Sequence, residues 1–213
     1  AAIVVAERHQ HVAALLSTFA TFAVGFLFRP LGGLVIGSFG DRYGRRQALV
    51  LTISMMAIAT GVMGLIPTYA TIGILAPILL VICRAFQGFS TGGEWGGAAA
   101  FLVEYAPTKH RGFISSFQQA GTALGLLLGT LIAGLLTYFL DAESFQSWGW
   151  RIPFLLGFVL GPIGHYLRTH VAETPAFKQT VATEAVAKTP LRDAFTTQKG
   201  NLLVAFAFSI SPC

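Results

Sequence analysis

The sequence predicts an all-α protein that crosses a lipid bilayer several times. Charged residues make up 11% of its 213 positions and hydrophobic residues 54%, whereas a soluble domain usually carries about a quarter charged residues. The 24 glycines fit the same class, because glycine is frequent in membrane helices and lets their backbones approach closely. This composition argues against a water-soluble globular domain.

Five apolar segments are long enough to cross a bilayer, since a hydrocarbon core of about 30 Å needs roughly 20 helical residues. The predicted spans cover residues 12–36, 47–66, 72–105, 113–138 and 152–168, and a sixth begins near residue 201. Pro67 is predicted to form a tight hairpin that separates the second span from the third. Because the sequence begins without Met and stops inside an apolar stretch, we expect it to be a fragment.

The distribution of basic residues predicts the orientation of these spans. Ten of the 14 Lys and Arg residues lie in alternate connections, which the positive-inside tendency places in the cytoplasm. They are Arg42, Arg45, Arg46, Lys109, Arg111, Arg168, Lys178, Lys188, Arg192 and Lys199. Residues 1–11 are therefore expected outside. Since topology accounts for the net charge of +5, we expect no nucleic acid partner.

The first cytoplasmic connection reads GSFGDRYGRR over residues 37–46. Gly37 is expected to permit close helix contact and Gly44 a sharp turn, while Asp41 can accept hydrogen bonds from a helix amino-terminus or an arginine. A bare basic cluster would indicate only a surface anchor. The spacing G-x-x-x-D-R-x-G-R-R between two membrane helices is more specific than that.

The span over 72–105 keeps ionisable groups at membrane depth, where they are costly and usually face a cavity or a partner. Arg84 and Gln87 lie on one helical stripe, and Glu94 lies beside it. Arg84 either binds a substrate carboxylate or tunes a neighbouring acid, or only braces helix packing. Glu94 is a candidate proton carrier, a partner of Arg84 or a brace.

Further polar residues interrupt the other spans. Arg29, which precedes Pro30, either contacts substrate or extends toward the cytoplasmic interface. Gln118 and Gln119 either contribute one side chain to a cavity or form hydrogen bonds between helices.

Two glycine series with four-residue spacing predict close helix packing. They are Gly88, Gly92 and Gly96 in the third span, and Gly121, Gly125 and Gly129 in the fourth.

Motifs of cofactor-dependent enzymes do not occur in the sequence. The five histidines lie scattered through ends and loops, and no Cys or carboxylate spacing makes them a metal site. GGEWGG at 92–97 lacks the G-x-G-x-x-G spacing, and there is no G-x-x-x-x-G-K-[ST] segment. We therefore expect no metal, no cofactor, no ATP-driven step and no enzymatic activity.

The segment over 37–46 resembles the signature between helices two and three of the major facilitator superfamily. Other motifs stand in the matching order: GFLFRPLGG at 25–33, RAFQGFSTGGEWGG at 84–97, EYAPTKHRG at 104–112, WGWRIPF at 148–154 and ETPAF at 173–177. Together they are similar to the metabolite:proton symporter branch, which imports proline and betaine and organic acids such as 2-oxoglutarate, citrate and shikimate.

This resemblance implies a helical bundle comprising helices 2–6 and the start of helix 7. Residues 1–168 would form the amino-terminal half without helix one, 169–199 a cytoplasmic loop that acts as a linker with short amphipathic helices, and 200–213 the start of the second half. The two halves of such a transporter rock around a site near the bilayer midplane.

The resemblance also implies a function. We expect a multi-pass protein of the inner cell membrane that imports a small organic acid or zwitterionic osmolyte by alternating access, with the proton as coupling ion. Lipid, the solute and the remainder of the transporter would be its partners. An exporter of drugs or metabolites, or a non-transporting sensor or scaffold, are the alternatives.

The family pattern assigns roles to two sets of residues in this sequence. The R-x-x-Q-G pattern of Arg84 is associated with proton coupling. Together with the polar residues that interrupt the spans, the candidate substrate and proton pathway comprises Arg84, Gln87, Glu94, Arg29, Gln118 and Gln119. The cytoplasmic gate would comprise Gly37, Asp41, Arg42, Gly44, Arg45, Arg46, Glu104 and Arg111, in a charge network that holds the outward-open state.

Overall fold

The computed structural model describes residues 2–183 and the side chains of residues 16–183. Within this part of the chain the regular structure is entirely helical. The helices are α1 (Ala2–Tyr43), α2 (Arg45–Leu65), α3 (Tyr69–Ile72), α4 (Leu75–Tyr105), α5 (Arg111–Phe139), α6 (Ala142–Ser147), α7 (Ile152–His170) and α8 (Pro175–Ala182), with 3₁₀ turns at Thr108–His110 and Gly149–Arg151.

Four stretches of helix are long and apolar enough to cross a membrane. They are Leu16–Tyr43, Arg45–Leu65, Leu75–Tyr105 and Thr108–Phe139, and they correspond to the first four predicted spans. Large apolar side chains cover their outer surfaces, as at Phe19, Leu27 and Leu126, which are 69%, 72% and 71% exposed. Lipid is the solvent that suits such a surface, so the chain is a multi-pass membrane protein.

The boundaries of the spans differ from the prediction in several places. Helix α1 does not end at residue 36 but continues to Tyr43, and Gly44 separates it from α2. The turn at Pro67 is longer than a tight hairpin, since the one-turn helix α3 follows it. The fifth predicted span corresponds to α7, a 19-residue helix that is not among the four stretches above. The sixth predicted span and most of the 169–199 connection lie outside the described residues.

Helices α1 and α4 run parallel and form the tightest seam of the bundle. Gly25 of α1 faces Gly88 of α4, and four residues further along both helices Arg29 faces Gly92. A Cβ atom added to Gly88 would lie 2.7 Å from the Cα of Gly25, and one added to Gly92 would lie 2.8 Å from the Cα of Arg29. Only glycine permits backbones to approach this closely.

Helices α2 and α7 form a second, antiparallel pair. Gly157 of α7 lies against Thr60, and a Cβ atom there would be 3.0 Å from the Thr60 methyl carbon. Ser54 Oγ and His165 Nδ1 are 2.9 Å apart further along the same interface. This pairing places the end of α7 beside the beginning of α2.

Helix α5 differs from the other three membrane-length stretches because none of its residues is buried within the described chain. Among the described residues, the glycine series Gly121, Gly125 and Gly129, for which we predicted close packing, has no atom within 4 Å of an added Cβ, and the same holds for Gly96. The spacing defines a flat helix face, but this part of the chain supplies no neighbour for it, so close packing at these positions stays a prediction.

The short helix α6 has a local cap. Asp141 accepts a hydrogen bond from the backbone N–H of Ser144 at 3.0 Å, and the hydrogen bonds from Ser144 hold the pKa of the Asp141 carboxyl below its ordinary value.

Candidate functional site

A cavity of 730 Å³ lies between helices α1, α2, α4, α5 and α7. Its polar lining includes Arg29, Thr91, Glu94, Gln118 and Arg168, with Trp95 among the aromatic residues. The cavity also reaches Arg46 at the start of α2 and Val171 just beyond α7. It therefore lies toward the end of the bundle that carries the basic connections.

The charged centre of this cavity is an ion pair between Glu94 of α4 and Arg168 of α7. Arg168 Nη2 lies 2.5 Å from Glu94 Oε1, and the two side chains are 27% and 30% exposed, respectively. Arg168 Nη1 also donates to the Leu49 carbonyl at 3.4 Å. The guanidinium is thus held between α2 and α4.

This pairing corrects the interpretation of Glu94 as a partner of Arg84. The two residues are ten positions apart on α4, which is about 15 Å along a helix axis. Arg168 had been interpreted only as a basic residue at the end of a span. The antiparallel packing of α7 against α2 brings it into the cavity.

Arg84 and Gln87 lie in a separate polar cluster. Arg84 Nη1 donates to Gln87 Oε1 at 3.2 Å, and Gln87 Nε2 donates to Thr60 Oγ1 at 2.8 Å. The Arg84 guanidinium lies 4.7 Å from the centre of the Phe22 ring. Since neither Arg84 nor Gln87 lines the 730 Å³ cavity, the predicted pathway residues occupy two places along α4.

Of the three remaining pathway residues, two line the cavity and one does not. Arg29 lines the cavity, with its guanidinium 4.1 Å from the centre of the Phe26 ring. Gln118 also lines it and donates to the Trp95 carbonyl at 3.0 Å. Gln119 is exposed and is not part of the lining.

Three of the eight predicted gate residues form ion pairs at the basic end of the bundle. Arg45 Nη1 lies 2.6 Å from Asp41 Oδ1, and Arg45 Nε lies 3.4 Å from Glu104 Oε1. These contacts join α1, α2 and α4. Arg111 is exposed and forms none of the ion pairs found among residues 16–183, so the structure does not bring it into this network.

A second set of contacts ties the chain after α7 to the same place. The Glu173 carboxylate accepts the backbone N–H of Arg46 at 3.1 and 3.2 Å and that of Thr174 at 3.0 Å. The Arg46 guanidinium donates to the Thr169 carbonyl. We call the residues Asp41, Arg45, Arg46, Glu104, Thr169 and Glu173 the clasp.

Glu173 is a site residue that the sequence did not assign. It stabilises the amino-terminus of α2, where unpaired N–H groups favour an anion. Gly44, the residue before α2, has φ of +114°, a conformation that glycine adopts readily. The ETPAF segment was the available signal, because it places an acid shortly after the last span.

Two predicted gate residues have other surroundings. An added Cβ at Gly37 would meet no atom within 4 Å, so the expected close helix contact is absent there among the described residues. The Arg42 guanidinium lies 5.5 Å from the centre of the neighbouring Tyr43 ring. Both residues belong to the last turns of α1, outside the clasp.

Comparison with known proteins gives one family over nearly the whole chain. Residues 4–202 match the family described as "Sugar (and other) transporter". The proline/betaine transporter of Salmonella typhimurium is 51% identical over 167 residues, which are 78% of this chain and 33% of that protein. The shikimate transporter of Escherichia coli K12 is 48% identical over 197 residues, which are 92% of this chain and 45% of that protein.

Solved structures show the same fold. The partially occluded, inward-open form of the xylose transporter XylE from E. coli has a TM-score of 0.68 at 21% identity, covering 84% of this chain and 44% of that one. The proton:xylose symporter XylE of the major facilitator superfamily, bound to 6-bromo-6-deoxy-D-glucose, also gives 0.68 at 21% identity, covering 86% and 41%. The chain spans between a third and just under half the length of the curated relatives named above.

Proposed function

We propose, from the premise that this chain belongs to the sugar (and other) transporter family of the major facilitator superfamily, that it forms part of a solute:proton symporter. The transporter imports a small organic acid or a zwitterionic osmolyte across the inner cell membrane by alternating access. The proton is its coupling ion, and the rest of the transporter completes the solute pathway.

The observation that carries this proposal is the charged cavity between apolar, membrane-length helices. Among the described residues, three arginines, Arg29, Arg46 and Arg168, line it with one carboxylate, Glu94. Ionisable groups at membrane depth mark solute and ion pathways, and an excess of guanidinium groups favours a solute that carries a carboxylate. The exposed Trp95 ring in the same lining suits an ammonium group.

The names of the relatives support the same solute classes. One is a proline/betaine transporter and another a shikimate transporter. Proline and betaine combine a carboxylate with a cationic nitrogen, and shikimate is an organic acid, so a carboxylate is common to all three solutes.

The clasp would act as the cytoplasmic gate. It joins α1, α2, α4 and the segment after α7 through ion pairs and hydrogen bonds. Such contacts exist in one arrangement of the helices and must break when the cytoplasmic side opens. Their polar, partly exposed nature keeps the energy of breaking them modest.

Arg84 has a separate role in this proposal, which is to support proton coupling from its cluster with Gln87 and Thr60. Its guanidinium is paired with a neutral amide and lies over the Phe22 ring. Arg84→Ala in the complete transporter is expected to abolish proton-driven uptake while leaving the amount of protein in the membrane unchanged. Normal proton-driven uptake by Arg84→Ala would contradict this role.

The transport proposal is tested with right-side-out vesicles that contain the complete protein and an imposed inward proton gradient. Radiolabelled proline, glycine betaine, shikimate, citrate and 2-oxoglutarate form the panel. Uptake of at least one solute is expected to rise with the gradient and to fall when a protonophore removes it. Gradient-driven accumulation only in inside-out vesicles would indicate an exporter, and no accumulation of any solute in either orientation would overturn the proposal.

A further inference from the structure

We propose that Arg168 is the binding group for the carboxylate of the solute, and that Glu94 competes with the solute for it until Glu94 takes up a proton. This inference rests on the proposed symport function and specifies its chemistry. It assigns Arg168 as a solute-binding residue and the Glu94–Arg168 pair as the site of coupling.

The geometry makes the guanidinium edge of Arg168 accessible and oriented. Arg168 Nη1 is held by the Leu49 carbonyl at 3.4 Å, while Nη2 faces Glu94 Oε1 at 2.5 Å inside the cavity. About a quarter to a third of each side chain remains exposed. A solute carboxylate that enters the cavity can therefore reach the same edge of Arg168.

Arginine is suited to exchange one carboxylate for another. Its planar guanidinium binds carboxylates through parallel N–H donors, and it keeps its charge throughout. Glu94 already occupies the position that the solute would take, so it acts as an internal substitute for the solute carboxylate when the cavity is empty.

The charges around Glu94 determine what the exchange requires. The charged groups lining the cavity with Glu94 are Arg29 of α1, Arg46 of α2 and Arg168 of α7, whereas α5 contributes the neutral Gln118. Two carboxylates against the same arginine would repel each other. Protonation of Glu94 removes that repulsion and releases Arg168.

The exchange conserves both protons and charge. One proton binds to the Glu94 carboxylate, the ion pair between Glu94 and Arg168 breaks, and an ion pair between Arg168 and the solute carboxylate forms. The pair Glu94–Arg168 is neutral before the exchange, and protonated Glu94 with Arg168 and the solute carboxylate is neutral after it. Release of the solute allows Glu94 to lose its proton and to bind Arg168 again. The solute and the proton are therefore transported together.

The test counts protons taken up when solute binds to the purified complete transporter in detergent without a gradient. The probes are glycine betaine, proline and shikimate, and calorimetry in buffers with different ionisation enthalpies gives the count across a pH series. Wild-type protein is expected to take up about one proton per solute at neutral pH. Glu94→Gln is expected to bind the solute with no proton uptake and with an affinity that no longer varies with pH.

Arg168→Gln is expected to weaken binding of every carboxylate probe at least tenfold at all pH values, and Arg168→Lys less so. Glu143→Gln, which removes an exposed carboxylate on α6, is the matched control and should keep the wild-type proton count. A brace that only holds α4 against α7 would change stability without changing the proton count.

The possible outcomes separate this inference from the transport proposal. Proton uptake that persists in Glu94→Gln, or unchanged carboxylate affinity in Arg168→Gln, would overturn the inference while leaving symport intact. If a variant protein cannot be produced, the wild-type protein alone still tests the inference. A count of zero protons taken up by the wild type at every pH would overturn it. Absence of gradient-driven uptake by the wild type would instead overturn the symport function, and this inference with it.

Discussion

Replacing Gly92 by alanine is expected to force helices α1 and α4 apart at one of their close backbone contacts. The new methyl carbon would lie 2.8 Å from the Cα of Arg29 and 2.7 Å from its carbonyl carbon. Both are backbone atoms, so no side chain can rotate to make room.

The size of the effect follows from these distances. Non-bonded carbon atoms are in favourable contact at about 3.5–4.0 Å, and the Arg29 carbonyl oxygen would lie closer still to the added carbon, so the two helices must separate locally by at least about 1 Å. Overpacking of this kind costs about 1–3 kcal/mol, and the better helix propensity of alanine offsets about 0.5–1 kcal/mol. We expect Gly92→Ala to reduce stability by about 1–2 kcal/mol.

The control is Gly96→Ala, four residues further along the same helix, where an added Cβ meets no atom within 4 Å. It should leave stability unchanged or slightly higher. The measurement is the apparent melting temperature of the complete protein in detergent, obtained from size-exclusion chromatography of samples that have been heated. Equal melting temperatures for the two variants would show that the α1–α4 seam is looser than its backbone geometry indicates.

Two further variants test the clasp and the turn that positions it. Glu173→Ala removes the acceptor for two backbone N–H groups and is expected to destabilise the start of α2 by about 1–2 kcal/mol. Amide hydrogen exchange at the start of α2 should be faster in this variant than in the control Glu143→Ala. Equal exchange in the two variants would contradict the capping role. Gly44→Ala places a side chain at φ of +114° and is expected to cost about 1–3 kcal/mol. Gly73→Ala has a positive φ of +57° as well but open space around it, whereas a Cβ at Gly44 would also meet the Glu173 carboxylate. Gly73→Ala should therefore melt at a higher temperature than Gly44→Ala, and the reverse order would refute the contribution of the Glu173 contact.

The spans and the sharp turn at Gly44 were predictable because they depend on nearby residues. A segment crosses a bilayer when about 20 consecutive residues are apolar, and the structure has four such helices at the predicted places. The positive φ of Gly44 follows from a glycine between two helices. The ion pair between Asp41 and Arg45 is also local, since the two residues are four positions apart on either side of this turn.

The contacts between distant segments could not be predicted from neighbouring residues in the sequence. Gly92 and Gly125 stand in series with the same four-residue spacing, yet the first touches the backbone of α1 and the second has open space around it. Spacing determines which residues share a face of a helix, but not whether another helix lies against that face.

The sequence by itself therefore determined the class of protein, four of its spans and the polar residues within them, because hydropathy and helical period are properties of a continuous segment. Only the tertiary structure decided which of those polar residues meet. Glu94 and Arg168 are 74 positions apart, and they pair because α7 packs antiparallel to α2 and brings its last turn to the cavity. Separation along the chain carries no information about such a contact, since the long-range packing of apolar helix faces sets it.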